Sequence, residues 1–123
     1  MCLAVKYGNV LIETINKMKE DYESLIALQS EYDKKVSNIY HDIETNYFNA
    51  SAGFKKYKEL QKVLRERRVI KHELAKIQRL HQSLSATQME SKISKIVKNV
   101  GRIDDENESY RDGWGIRVEE ILV

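Results

Sequence analysis

The sequence predicts a mainly α-helical protein: a long antiparallel helical hairpin, a short third helix and a small C-terminal β-hairpin or flap, assembled as an oligomer. Three observations predict it. Ten positions alternately four and three apart (Leu11, Ile15, Met18, Tyr22, Leu25, Gln29, Tyr32, Val36, Ile39, Ile43) are apolar or aromatic except for Gln29. A second seam of the same spacing runs Leu60, Val63, Arg67, Ile70, Leu74, Ile77, His81, Leu84. The chain contains no proline, so nothing breaks either helix from within.

The first element is a helix over 9–45. A four-three alternation sustained this long is a seam down one side of a helix. At 1.5 Å per residue such a helix is ~50 Å long, more than a compact domain needs, so it must lie against another long helix. The stretch Thr45 to Gly53, rich in Asn, Ser and Ala, reads as a turn and restart, with Asn49 as the N-cap. The second helix follows over 50–84. Nearly equal arms imply an antiparallel hairpin, and a turn near Phe48 sets Gln29 level with Arg67. Within an apolar seam Arg67 needs a partner. It is either a ligand or oligomer-specifying residue, or a structural one bonded to Gln29 or reaching solvent.

Apolar Met89, Ile93, Ile96, Val97 and Val100 at helical spacing predict a third helix over 87–100, stopped by Gly101. Residues 101–123 form the flap. Its expected hairpin pairs Val100–Asp104 with Tyr110–Val118 across the polar turn of Asp104 to Glu108. Tyr110, Arg111, Trp114 and Arg117 interleave rings and guanidinium groups. They read either as a grip for a ring-and-phosphate ligand or as a flap in which Trp114 plugs the end of the hairpin core.

At 123 residues the chain is read as one domain. No apolar run is long enough to span a membrane, and Met1 to Val10 lacks the pattern of a secretory signal. The single cysteine, Cys2, fits a reducing cytosol. A cytoplasmic location is expected.

The net charge of +2 hides a segregation. Residues 1–48 carry 5 basic and 8 acidic side chains (net −3), residues 49–84 carry 10 and 3 (net +7), and residues 85–123 carry 6 and 8 (net −2). The second helix could hold phosphate-bearing ligands or nucleic acid, or its charges could pair with the acidic first helix. The Arg65, Arg67, Arg68 cluster exceeds what Glu66 can neutralise.

Catalytic patterns are missing. There is no phosphate-cradling glycine loop, no HExxH and no cysteine pair for zinc. His41, His72 and His81 are scattered, and His41 and Asp42 point to different helix faces. The chain is therefore read as no enzyme, with no cofactor and no metal.

Three stretches carry a family resemblance: Tyr40 to Glu44, Phe48 to Phe54, and Lys58 to Leu74, which contains the Arg65-Glu66-Arg67-Arg68 run. Together with Lys98 to Ile103, an aromatic segment and Arg117-Val118, they resemble small helical proteins of phages of Gram-positive bacteria, over about residues 36–122. Within that group the chain looks like the phage anti-Thoeris sponge proteins of the first-described type. Those sequester the cyclic ADP-ribose isomer made by bacterial TIR-domain defence enzymes, and some members hold cyclic oligonucleotides of the CBASS system. The resemblance implies a protein of the host bacterial cytosol that holds a cyclic nucleotide between protomers without cleaving it. It implies a ligand set of Asn99, Tyr110, Arg111, Trp114 and Arg117, with Arg65 or Arg68 from a neighbouring protomer. The family tail often has Pro before the Arg of its Arg-Val pair; Ile116 stands there in this chain. Two other readings stand beside this one: a structural or partner-binding coiled-coil protein, and a helical nucleic-acid-binding module built on the second helix.

Overall fold

A computed structural model describes residues 2–122. The chain is mainly helical: α1 is Leu3–Thr45, α2 Ala50–Leu84, α3 Ala86–Tyr110 and α4 Val118–Ile121. It divides into two compact units, residues 16–86 and residues 1–15 with 87–123.

The unit of residues 16–86 is the antiparallel hairpin of the lower part of α1 and α2. Its seams lie where the spacing puts them except at their ends, where Ile43 and Leu84 are exposed: Met18, Tyr22, Leu25, Gln29, Tyr32 and Val36 are half-buried and Ile39 is buried. On α2, Leu60, Val63, Arg67, Leu74, Ile77 and His81 are half-buried and Ile70 is buried. Burying such a stripe removes apolar surface from water at about 25 cal/mol per Å², the main favourable term holding two helices together. The turn is set by Asn49, whose side-chain oxygen accepts the Ala52 N–H at 2.8 Å. Asn49 is extended (φ −71°, ψ 173°), as an N-cap must be. At the far end Ser85 takes the left-handed conformation (φ 46°) and ends α2.

Polar contacts fix the register. Tyr32 donates to Glu66, Arg67 Nε donates to Asp33 Oδ1 at 2.6 Å, and Lys56 Nζ lies 3.4 Å from Asp42 Oδ2. The partner of Arg67 is thus Asp33, one turn beyond the expected Gln29. A guanidinium satisfies its charge with a carboxylate, and the half-buried Arg side chain reaches sideways out of the seam to find one. At the open end of the hairpin the rings of Tyr22 and His81 stack, 5.2 Å between centroids.

The other unit packs the first turns of α1 against α3. Gly8 is the point of closest approach: a Cβ there would lie 2.2 Å from Val97 Cγ2. Helix α3 buries part of Ile93, Val97, Val100 and Asp104, spaced four, three and four. This face overturns the expectation that α3 stops at Gly101. The helix runs on to Tyr110, and among the described residues there are no strands, so the expected hairpin of 100–104 with 110–118 is absent. The physical reason lies in the sequence between. Asp104 to Glu108 contains no β-branched residue, its acids are compatible with a helix, and one interior glycine costs a helix only about 1 kcal/mol. Beyond Tyr110 the chain turns through Gly113 (φ 79°) and Gly115 (φ 66°), whose left-handed conformations suit glycine. Trp114 plugs no core: it is 57% exposed. No helix among the described residues is long and apolar enough to cross a membrane.

Candidate functional site

The turn through Gly113 and Gly115 returns residues 116–119 to the first turn of α1. There Lys6 Nζ meets Glu119 Oε1 at 3.3 Å, and Arg117 Nε lies 3.9 Å from the other oxygen of the same carboxylate. The Glu119 backbone N–H, then Lys6 and to a lesser extent Arg117, hold that carboxyl below its ordinary value near 4.5, against an opposing effect of desolvation. The ion pair pins α4, which has no side-chain cap of its own.

This return forms one wall of an open cleft of about 550 Å³ within the unit. Cys2 lines it from just before α1, Leu3, Ala4 and Lys6 from α1, Asp104 and Glu108 from α3, and Arg111, Ile116, Arg117, Val118 and Glu119 from the tail. Three cations and three carboxylates thus share one wall system. Arg111 is anchored at both ends of its chain geometry: its backbone N–H donates to Asn107 O at 2.9 Å, and its Nε donates to the same carbonyl at 3.3 Å. The carboxylate of Glu119 occupies the position between Lys6 and Arg117 that an anionic ligand would take. Phosphate oxygens make the same charge-assisted bonds as a carboxylate, so the pair of cations is chemically suited to either.

Of the residues read from the sequence as a site, the structure brings Arg111 and Arg117 into this cleft. Tyr110 and Trp114 pair with each other edge to face, ring centroids 5.8 Å apart, and lie outside its lining. They stay tied to Arg111, since Tyr110 precedes it and the Trp114 N–H donates to its carbonyl at 3.1 Å. Asn99 stands three turns earlier on α3 and accepts from Arg102 Nη2 at 2.9 Å. Arg65 and Arg68 are exposed on α2, in the hairpin unit. Lys6 and Glu119 were missed by the sequence reading. Nothing local marks them, because they stand 113 residues apart in the chain.

A second depression in the same unit is apolar. Ala4, Tyr7, Gly8 and Leu11 of α1 and Ile93, Ile96, Val97 and Val100 of α3 enclose about 230 Å³. Tyr7, Leu11 and Ile96 stand open to solvent at its rim. Among the described residues no group of three or more His, Cys, Asp or Glu is placed to hold a metal ion.

Comparison with known proteins leaves this geometry to speak alone: no family model matches the chain, and neither a curated protein nor a solved structure is significantly similar to it.

Proposed function

We propose that the protein binds a phosphate-bearing cyclic nucleotide signal and withholds it without cleaving it, as a phage counter-defence sponge. The observation that carries this reading is the cleft in which Arg111 and Arg117 converge with Lys6, next in the chain to the exposed Tyr110–Trp114 ring pair. Guanidinium groups would hold the phosphates, with Glu119 displaced from Arg117 and Lys6. Rings would stack on the base, at ~1–3 kcal/mol per base. The resemblance of residues 36–122 to the anti-Thoeris sponge proteins supports the same ligand class. Sequestration requires tight binding and no chemistry.

The cleft of one chain is open, so this reading includes a second protomer that closes it. Closure excludes water and strengthens each polar contact. The apolar depression around Gly8 and Val97 favours self-association on its own account, and a purely structural or partner-binding role is the second reading it supports.

Native mass spectrometry of the chain with cyclic ADP-ribose isomers and cyclic oligonucleotides tests the proposal. One member of the panel is expected to add as an intact mass and to be recovered unchanged after heat denaturation. Arg117→Ala should weaken it tenfold or more, the effect of losing about 1.5–3 kcal/mol for a hydrogen bond to a charged group. No adduct with any member of the panel overturns the sponge reading, and recovery of a cleaved ligand replaces it with an enzyme.

A further inference from the structure

The solvent face of α2 carries a cationic track that the hairpin leaves unneutralised. Lys58, Lys62, Arg65, Arg68 and Arg79 recur in steps that keep them on the side of the helix opposite the seam, and all are exposed. Leu60 to His81 occupy the other side. The three acids of α2 stand apart from the track. Glu59, Glu66 and Glu73 are spaced by seven along one flank and are engaged by Lys56, Tyr32 and Lys76. Across the hairpin, among the described residues, Lys56 and Arg67 are the α2 cations that reach acids of α1, namely Asp42 and Asp33. Lys58, Lys62, Arg65, Arg68 and Arg79 form no ion pair among the described residues. Pairing with the acidic first helix therefore does not account for the basic surplus of α2.

This arrangement works against the helix that carries it. Like charges three or four residues apart, such as Lys58 with Lys62 and Arg65 with Arg68, repel one another. A polyanion lying along the track removes that repulsion. From Phe54 to Arg79 the face is about 38 Å long at 1.5 Å per residue. Its hairpin end carries aromatic rings in the open: Tyr47 is 96% exposed, Phe54 59% and Tyr57 54%. Lys58 Nζ stands 5.5 Å from the centre of the Phe54 ring, and the Phe54 and Tyr57 rings are 6.5 Å apart. Cations that track a backbone, ending on rings that accept unpaired bases, are the two parts of a single-strand site. A duplex would use the cations and leave the rings idle.

We infer that the exposed face of α2 and the aromatic hairpin tip bind single-stranded nucleic acid, a binding activity separate from the tail cleft of the proposed function. The test is fluorescence anisotropy of a labelled 20-nucleotide thymidine oligomer with the full chain. With four or five phosphates engaged, affinity should fall roughly 50- to 130-fold between 50 and 200 mM salt. The double variant Arg65→Ala/Arg68→Ala should bind more weakly and lower the slope of log K against log salt by about 1.4. Phe54→Ala/Tyr57→Ala should lose about tenfold or more in affinity with the slope unchanged. All four residues are exposed, and circular dichroism checks that the helices persist. Lys58→Gln/Lys62→Gln, which removes only charge, should repeat the slope effect. Arg117→Ala should bind the oligomer as wild type does, which separates this site from the cyclic nucleotide cleft. Absence of saturable binding at 50 mM salt overturns the inference. So does a 20-base-pair duplex bound as tightly as the single strand and indifferent to the ring variants, or binding to phosphatidylserine vesicles in place of the oligomer.

Discussion

Tyr32 shows how one residue can lock the hairpin register. Its hydroxyl donates to Glu66 across the seam while Lys35 Nζ sits 4.4 Å from the centre of its ring. The hydrogen bond to Glu66, then partial burial and the nearby carboxylates of Glu66 and Glu31, raise the phenol above its ordinary value of 10.0. A raised acid is one whose protonated form the fold favours. The stabilisation is therefore complete below pH ~10 and is lost as pH rises through the raised value. Tyr32→Phe should be less stable than wild type at neutral pH by a gap that holds up to about pH 10 and narrows as pH rises beyond it. Denaturant titrations across that range check it, with the other tyrosines common to both proteins. A gap that stays constant would mean the bond contributes nothing.

At the scale of elements, two glycines in helices have opposite meanings. Gly8 lets α1 and α3 touch, and its missing Cβ is space already filled by Val97. Val97 is β-branched and has little rotamer freedom on a helix with which to yield. Gly8→Ala should therefore destabilise the chain: overpacking costs about 1–3 kcal/mol, against the ~1 kcal/mol that Ala gains over Gly within a helix. Gly8→Ala/Val97→Ala should recover most of the loss. At Gly101, in contrast, a Cβ would meet nothing within 4 Å. Gly101→Ala should stabilise α3 by about 0.5–1 kcal/mol. Thermal melts of the three variants decide it, and a destabilising Gly101→Ala would show that α3 has a partner at that point.

At the scale of the whole molecule, exposed large apolar side chains outnumber buried ones among the described residues. Among the described residues only Ile15, Ile39, Ile70 and Ala86 are buried hydrophobics. Tyr7, Val10, Leu11 and Ile96 of the first unit are each more than half exposed. Rims of this kind around an apolar depression mark contact surfaces. If the chain self-associates as proposed, sedimentation equilibrium at about 10–100 µM should show species heavier than the 14.4 kDa chain. Leu11→Glu/Ile96→Glu should return it to that mass with its helix content intact. A wild type that sediments only as the single chain at these concentrations would leave the cleft open and count against closure by a partner.

The hairpin was legible in the sequence because its determinants are periodic and local. Seam spacing names which residues face inward, Asn49 caps where its short side chain can reach Ala52, and the lack of proline lets both helices run. The end of α3 was not legible. Gly101 and the acids after it are compatible with a stop or with a continuing helix, and the contact of α3 with α1, far away in the chain, decided between them. The pairing of Arg67 with Asp33 and the meeting of Lys6 with Glu119 likewise depend on where side chains reach once the helices are placed. So do the two faces of α2: composition supplies the basic surplus, but only the packed hairpin shows which charges have partners. By itself the sequence determined helical faces, caps and charge totals, because each depends on near neighbours along the chain. Partners, clefts and free charges were decided by the tertiary structure, because each depends on atoms brought together from distant positions.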